Sequence, residues 1–354
     1  MKGRRTLTIF PFWRDNPYPN LMALATAASD FSVQGPTQLD SLLRVIAHSR
    51  RGDVLHFQWT APVIQRAQDA SDARARLGRF KRAIDRFRRS GGRLVWTVHN
   101  AMPHELLYEA EELELMRYLA KAADVIHVMN PATAEVLAPD VVLPREKIVV
   151  VPHPSFMGLY PRGPGREAAR AAFGLRPEQR AVAFVGQIRP YKGIVTLLRA
   201  LDSLTPEQKA QTALLLAGMV RAEDVETVED AIPSGMTVVY ERGFVPDGEL
   251  SRWYEAADLA VLPYERILNS GSAHLAATFE VPIVLPDAPH LRAEFGDEPW
   301  VRFFDGDDAV PELTRLLADP ATYERDRDAL RAFNTARSPW NMSERMRDEV
   351  LAPS

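Results

Sequence analysis

The chain has 354 residues, of which 46% are hydrophobic and 25% charged, and its formal net charge is -4. Chains beyond about 250 to 300 residues usually form more than one core, so two domains are expected. The slightly acidic balance argues against a general nucleic-acid-binding protein, which needs clustered Lys and Arg. The sequence contains no cysteine, which excludes disulfides and thiolate metal sites and is compatible with a reducing cytoplasm.

Short β-branched runs alternate with longer amphipathic segments, a pattern that predicts parallel sheets covered by helices on both faces. Strands are predicted at residues 6–12, 54–59, 93–99, 124–129 and 147–151 in a first doubly wound unit. A second set is predicted at residues 181–185, 213–217, 236–240, 259–263 and 282–285. A linker rich in proline and glycine separates the two sets at residues 152–165.

The chain reads as helix only after residue 311, and a terminal helix over residues 340–351 is expected to pack back on the first domain. We therefore expect one domain at residues 1–160, a second at 161–335 and a crossing C-terminal helix at 336–354. Ligands bind beyond the carboxyl ends of the strands in such sheets, so the site is expected in those loops.

The most informative stretch is FVGQIRPYKG at residues 184–193, where a predicted strand ends in glycine and a cationic loop leads to a helix. Arg189 and Lys192 stand beside the start of that helix. Helix amides, the helix dipole and two cations together form a site for a diphosphate. A solvated loop with incidental charges is the alternative.

A second loop, YERILNSGS at residues 264–272, follows the strand predicted at 259–263. Ser270 and Gly271 suit a helix N-terminus whose free amides can face the same phosphates. Glu265 is a candidate acceptor for hydrogen bonds from sugar hydroxyls. The alternative is that Ser270 only caps the helix and Glu265 is a surface acid.

In the first half, VWTVHNAMPHE at residues 95–105 puts His99 at the end of a predicted strand. An imidazole there can hydrogen-bond a ligand or move a proton, although a histidine at a strand end can also be purely structural. His104 and Glu105 follow, and they can alternatively cap a helix that begins near Glu105.

Together these loops resemble the GT-B glycosyltransferases, especially the family-4-like (group 1) enzymes of bacterial exopolysaccharide and lipid-linked glycan assembly. The resemblance covers most of the chain and is strongest at residues 181–286, with GQIRPYKG, AADLAVLPY and a Ser-Gly pair upstream of VPIV. It implies two Rossmann-like domains facing across a cleft, an acceptor-side N-terminal domain and a nucleotide-sugar donor site in the C-terminal domain.

The resemblance also implies roles for individual residues. The donor diphosphate would be held by Arg189, Lys192, Ser270 and Gly271, and the nucleobase by Gly243, Phe244 and Val245. His99 and Glu265 would be the catalytic pair. Contacts with the donor sugar or the acceptor are expected from Asn16, Tyr18, His104, Glu105 and Tyr264.

One departure from the family pattern concerns the second loop. Many relatives carry two glutamates eight positions apart, but Ala273 stands eight positions after Glu265. The sequence instead resembles the subgroup with Tyr-x-x-x-x-x-Ser-Gly, here Tyr264 to Gly271. The expected activity is transfer of a hexose from GDP-mannose or a UDP-sugar to a glycan, lipid-linked or small-molecule acceptor. The alternatives are a nucleotide-sugar epimerase and a non-catalytic sugar-nucleotide-binding partner subunit.

Other ligands are not expected. Neither a Gly-x-Gly-x-x-Gly dinucleotide motif after the first strand nor a P-loop occurs, so no cofactor beyond the nucleotide sugar is anticipated. Asp305-Gly306-Asp307 resembles a metal-binding Asp-x-Asp, but it precedes a predicted helix, where Asp acts as an N-cap. We expect a metal-independent enzyme.

Residues 73–90 contain eight Lys and Arg, with Leu77, Phe80, Ile84 and Phe87 at helical spacing. Such an apolar stripe flanked by cations suits an anionic membrane surface, or it covers a sheet. No signal peptide is apparent, and no run reaches the roughly 18 apolar residues of a spanning helix, so membrane contact would be peripheral. The expected location is the cytoplasm, with contact at the inner face of the membrane.

Overall fold

The computed structural model describes residues 4–29 and 31–352. The chain divides into two compact units. The first comprises the described residues up to Pro154 together with those from Pro339 onward, and the second is Ser155–Ser338.

The described part of the first unit contains a six-stranded parallel sheet with the strand order β2-β1-β3-β4-β5-β6. Its strands are β1 Arg5–Phe10, β2 Phe31–Gln34, β3 Val54–Phe57, β4 Arg93–Val98, β5 Val125–Val128 and β6 Ile148–Val150. Its helices are α1 Pro17–Met22, α2 Leu24–Ala27, α3 Leu39–Ala47, α4 Ala70–Arg89, α5 Glu109–Ala122 and α6 Thr133–Leu137, with a 3-10 turn at Arg145–Lys147.

The second unit also contains a six-stranded parallel sheet, in the order β12-β11-β10-β7-β8-β9. Its strands are β7 Arg180–Val185, β8 Thr212–Ala217, β9 Thr237–Glu241, β10 Leu259–Val261, β11 Ile283–Pro286 and β12 Val301–Phe304. Its helices are α7 Arg166–Ala172, α8 Ile194–Asp202, α9 Pro206–Ala210, α10 Val225–Asp230, α11 Asp247–Ala256, α12 Gly271–Thr278, α13 Pro289–Phe295, α14 Ala309–Ala318 and α15 Arg327–Ala336. Short 3-10 turns lie at Pro190–Lys192, Ala222–Asp224 and Pro320–Tyr323.

Helices cover both faces of each sheet, so the side chains on both sides of a central strand are buried. The strands therefore form where apolar residues follow one another without interruption. Every residue of β8 is buried, for example. The helices bury one stripe each: in α4 the stripe runs through Ala73, Leu77, Phe80, Ile84 and Phe87. Asp69 starts this helix by accepting a hydrogen bond from the Asp72 amide at 2.8 Å.

The C-terminal segment packs on the first unit. It consists of α16, Pro339–Arg345, and a π-helical turn, Met346–Leu351. Ser343 Oγ accepts a hydrogen bond from the Ala25 amide at 2.7 Å and donates to the Met22 carbonyl at 3.1 Å. Met346 joins Leu7 in one buried apolar cluster.

The predicted α/β class, with two doubly wound units and a C-terminal helix on the first of them, is confirmed. The prediction missed β2 and β12, each of which forms one edge of its sheet. The sequence of β2, FSVQ, alternates between buried and more exposed positions rather than forming an apolar run. The predicted helix near Glu105 was also wrong, because α5 begins at Glu109.

Candidate active site

The loops predicted to bind the donor lie where the strand order of the second sheet reverses. That reversal falls between β7 and β10, and their carboxyl ends lie at the same edge because the strands are parallel. The Glu265 amide, after β10, donates to the Tyr191 carbonyl, after β7, at 2.9 Å. Gly193 has φ 68°, and a Cβ there would overlap the Pro263 carbonyl oxygen. The two loops are therefore packed backbone against backbone.

The two cations of the first loop have different surroundings. Arg189 Nη1 donates to the carbonyl oxygens of Ile188 at 2.7 Å and Met219 at 3.1 Å. The Lys192 ammonium lies over Gly186, where an added Cβ would be 3.6 Å from Nζ. Burial and the neighbouring Arg189 lower the pKa of Lys192 to about 8.

Neither cation has an acidic partner among the described residues. A partly buried ammonium without a counter-charge is costly, and a bound anion would remove that cost. The geometry of the loop therefore favours a ligand that carries negative charge.

Ser270 caps α12, which is the alternative role expected from the sequence. Its hydroxyl oxygen accepts a hydrogen bond from the Ala273 amide at 3.1 Å and lies 2.9 Å from the hydroxyl of the buried Tyr264. The amides of Gly271 and Ser272, first in the helix, have no acceptor among the described residues. Hydrogen bonds to a ligand at this terminus would therefore come from amides rather than from the Ser270 hydroxyl.

Glu265 is exposed at the junction of the two loops. Its carboxylate forms no ion pair with any residue that the structure describes. Its place beside Tyr191 and Lys192 in the joined loops fits a side chain that accepts hydrogen bonds from a ligand.

The segment predicted to bind a nucleobase follows β9 at the same sheet edge. Arg242 forms an ion pair with Glu229 at 3.2 Å, and Val245 packs against the core of the unit. Between these anchors, Phe244 is 72% exposed and Gly243 is partly exposed. An exposed phenyl ring on an anchored loop offers a flat apolar face for an aromatic ligand.

In the first unit, His99 follows β4 and lies within an aromatic cluster. Its ring stacks on Trp59 with 3.9 Å between centroids and meets Tyr18 edge-on at 5.0 Å. His99 Nε2 lies 2.6 Å from Gln58 Oε1. Burial, together with His127, His56 and His153, holds the pKa of His99 well below its usual range, so the ring is neutral at pH 7.

The other residues predicted for the acceptor side differ in their surroundings. Tyr18 is buried, and its hydroxyl has no partner among the described residues. Asn16 Oδ1 accepts a hydrogen bond from the Tyr18 amide at 3.1 Å, so its side chain caps α1. His104 and Glu105 are exposed in the loop before α5.

Sequence reasoning missed the polar residues behind His99. His56, Gln58, Thr97 and His127 are buried at the carboxyl ends of β3, β4 and β5. The sequence feature that could have revealed them is the presence of polar residues within strands that are otherwise apolar. That signal becomes informative only when the register is known, since Thr97 pairs with His127 across two strands.

The helix proposed for membrane contact is α4, and its apolar stripe is buried within the first unit. Four of its cations form ion pairs with acids elsewhere in this unit: Arg74 with Glu111, Arg79 with Asp40, Lys81 with Glu114 and Arg88 with Asp124. The stripe is therefore part of the core and is not available to enter a bilayer. In the described part of the chain, no helix combines the length and apolar composition needed to span a membrane.

Comparison with protein families finds a match to "Glycosyl transferases group 1" over residues 179–319. The chain is 26% identical over 275 residues to a GDP-mannose:glycolipid 4-beta-D-mannosyltransferase of Xanthomonas campestris pv. campestris, covering 75% of this chain and 71% of that protein. It is 34% identical over 128 residues to a D-inositol 3-phosphate glycosyltransferase of Segniliparus rotundus, covering 33% of this chain and 27% of that protein.

Two solved structures share the fold over nearly the whole chain. Sucrose-phosphate synthase from Thermosynechococcus elongatus superposes with a TM-score of 0.75 at 16% identity, covering 98% of each chain. HepE of Anabaena, in complex with UDP-glucose, superposes with a TM-score of 0.69 at 12% identity, covering 97% of this chain and 98% of that one. At these identities the likeness concerns the fold alone.

Proposed function

We propose that this chain is a group 1 glycosyltransferase of the GT-B fold and that it transfers a hexose from a nucleotide diphosphate sugar to a glycan or lipid-linked acceptor. The observation that carries this proposal is the joined pair of loops after β7 and β10. They combine two cations that lack acidic partners among the described residues with the free amides of α12. Such a combination binds a diphosphate.

We propose GDP-mannose as the donor. The support is the Xanthomonas relative, whose name specifies GDP-mannose and whose match extends over most of this chain. A UDP-sugar is the competing donor, since HepE was solved with UDP-glucose. The nucleobase would stack on Phe244, and the backbone of Gly243 and Val245 would contact its edge.

In the proposed mechanism, Arg189 and Lys192 neutralise the charge that develops on the departing nucleoside diphosphate. The amides of Gly271 and Ser272 donate hydrogen bonds to its oxygens, while Tyr264 and Ser270 hold that helix terminus in place. Charge stabilisation by fixed groups of this kind is usually the largest contribution to rate. No metal ion is required in this scheme, because cations and amides perform the neutralisation.

The remaining site residues are proposed to contact the sugar and the acceptor. Glu265 accepts hydrogen bonds from sugar hydroxyls, and His99 and Tyr18 contact the sugar or acceptor from the first unit. His104 and Glu105, in the exposed loop that follows His99, contribute to acceptor binding. Asn16 acts indirectly by fixing the start of α1.

We further propose that a lipid-linked acceptor is met at the cytoplasmic face of an anionic membrane. With the stripe of α4 buried, the contact would be electrostatic only. It would use the cations of α4 that are exposed and form no ion pair among the described residues, namely Arg82, Arg86 and Arg89.

Thermal-shift measurements against a panel of nucleotide sugars test donor binding, because a ligand of the folded state raises the unfolding temperature. A transfer assay with the donor that gives the largest shift tests the reaction. Conversion of the donor in the absence of acceptor would instead indicate an epimerase. Tight binding without transfer across an acceptor panel would indicate a non-catalytic binding subunit.

A further inference from the structure

A row of buried polar side chains runs behind His99 across the carboxyl ends of three strands. His99 Nε2 is 2.6 Å from Gln58 Oε1, and the Gln58 amide nitrogen is 3.2 Å from Nδ1 and 3.1 Å from Nε2 of His56. His56 Nε2 is 2.6 Å from Thr97 Oγ1, which is 3.0 Å from His127 Nδ1. The row ends where His127 Nε2 meets the Val151 carbonyl oxygen at 2.9 Å. We call these residues the relay.

The Val151 end sets the direction of the relay. A carbonyl oxygen only accepts, so His127 Nε2 carries a proton and donates to Val151. In a neutral ring His127 Nδ1 is then an acceptor, and the single hydroxyl proton of Thr97 is donated to it. Because that proton is used, His56 Nε2 must donate to the Thr97 oxygen, which leaves His56 Nδ1 as an acceptor.

The same reasoning orients the Gln58 amide. His56 Nδ1 accepts, so the Gln58 NH2 group faces it and Gln58 Oε1 faces His99. The reversed amide would set an acceptor oxygen against the Nδ1 lone pair, while the one ring proton, on Nε2, is already donated to Thr97 Oγ1 at the shorter distance of 2.6 Å. A second ring proton is opposed by burial, which lowers the pKa of His56 to about 3. Burial likewise lowers the pKa of His127 to about 4. His99 Nε2 must therefore donate to Gln58 Oε1.

We propose that the relay is a positioning device that fixes His99 as its Nε2–H tautomer, so that any group meeting Nδ1 must donate a hydrogen bond to it. Under the proposed function, that group is a hydroxyl of the sugar or of the acceptor. This part of the proposal rests on the proposed function, whereas the tautomer follows from the relay alone.

In this arrangement His99 orients a bound hydroxyl rather than removing its proton. A ring stacked on Trp59 and tied to Gln58 has a fixed plane, so its Nδ1 lone pair points in one direction. Since burial and three neighbouring imidazoles keep its basicity low, the ring suits hydrogen-bond acceptance better than proton abstraction. Gln58, His56, Thr97 and His127 are then positioning residues.

The test is ¹⁵N NMR of the histidine rings in the whole protein without ligand, with signals assigned by single histidine substitutions. The expected wild-type spectrum shows His99 and His56 as single Nε2–H tautomers. A wild-type His99 in the Nδ1–H form, or in a mixture of both forms, overturns the proposal without any variant and whether or not the protein is a transferase.

Two substitutions of one relay residue separate positioning from packing. Thr97→Val keeps the shape but removes the hydroxyl, and should give His99 as a tautomer mixture and lower kcat/KM about tenfold or more. Thr97→Ser should restore both the tautomer and the activity to within about twofold. A Thr97→Val protein that keeps the pure Nε2–H tautomer, or that loses it with unchanged kcat/KM, refutes the positioning role.

Discussion

Lys192 offers a prediction in which stability and binding change in opposite directions. Its pKa of about 8, against an ordinary value of 10.5, means that the free protein holds the charged ammonium at a cost. Each pKa unit corresponds to about 1.4 kcal/mol, so the cost at pH 7 is about 3.5 kcal/mol. Lys192→Met keeps the approximate length of the side chain without its charge. It should therefore raise the stability of the protein without nucleotide while weakening nucleotide binding.

The pH dependence follows from the same shift. A bound diphosphate would raise the pKa of Lys192 back toward or above its ordinary value, so above pH 8 binding requires uptake of a proton. The affinity for GDP or UDP should fall about tenfold between pH 7 and pH 9, with most of the change above pH 8. In Lys192→Met the affinity should be weak and nearly independent of pH over this range.

Isothermal titration calorimetry measures the affinity, and repeating it in buffers of different ionisation enthalpy counts the protons taken up. Arg199→Ala is the matched control, because this cation is exposed in the last turn of α8 and away from the helix start. Equal pH dependence in wild type and Lys192→Met would refute the reasoning. So would a Lys192→Met protein that binds nucleotide as tightly as wild type.

Three further outcomes are expected. Burial lowers the pKa of His127, which faces Arg345 and Glu349, to about 4. Between pH 6.5 and 4 the unfolded state takes up a proton that the folded state does not. The free energy of unfolding should therefore fall by about 1.4 kcal/mol for each pH unit below 6.5. His127→Asn should reduce the pH slope of unfolding between pH 6.5 and 4.5 by about one proton, and an unchanged slope would contradict this assignment. Phe244→Ala should weaken nucleotide binding by roughly 1–3 kcal/mol without loss of thermal stability; unchanged affinity would exclude stacking on this ring. Replacing the exposed cations of α4, namely Arg82, Arg86 and Arg89, with Glu should abolish co-sedimentation with anionic vesicles. Neutral vesicles should bind neither the wild type nor this variant. If the variant still binds anionic vesicles, this face is not the contact.

The strands and the donor loops were predictable because their signals are local. An apolar run that ends in Gly186, followed by two cations and Gly193, defines a strand, a turn and a helix start without knowledge of the rest of the chain. Two edge strands were missed because polar residues interrupt their apolar runs, in FSVQ of β2 and VRFF of β12, whereas the edge strands β6 and β9 keep the runs IVV and VVY and were predicted.

Other features depend on contacts between distant residues. The stripe of α4 has the same spacing whether it faces a sheet or a membrane, and only the packed structure distinguishes the two. The relay joins Gln58, Thr97 and His127, which are separated by about thirty to seventy positions in the sequence and meet only through strand register. The direction of its hydrogen bonds depends on the Val151 carbonyl, a backbone group that sequence patterns do not reveal.

Turnover of GDP-mannose with a lipid-linked acceptor, measured in the presence of EDTA, tests most directly whether Lys192 stabilises the departing diphosphate. Wild type and Arg199→Ala should transfer sugar equally and only when acceptor is present. Lys192→Ala should be folded but slower by about 10²–10³-fold. Undiminished transfer by folded Lys192→Ala would contradict the assignment of the donor site, and loss of wild-type transfer on chelation would contradict the metal-free scheme.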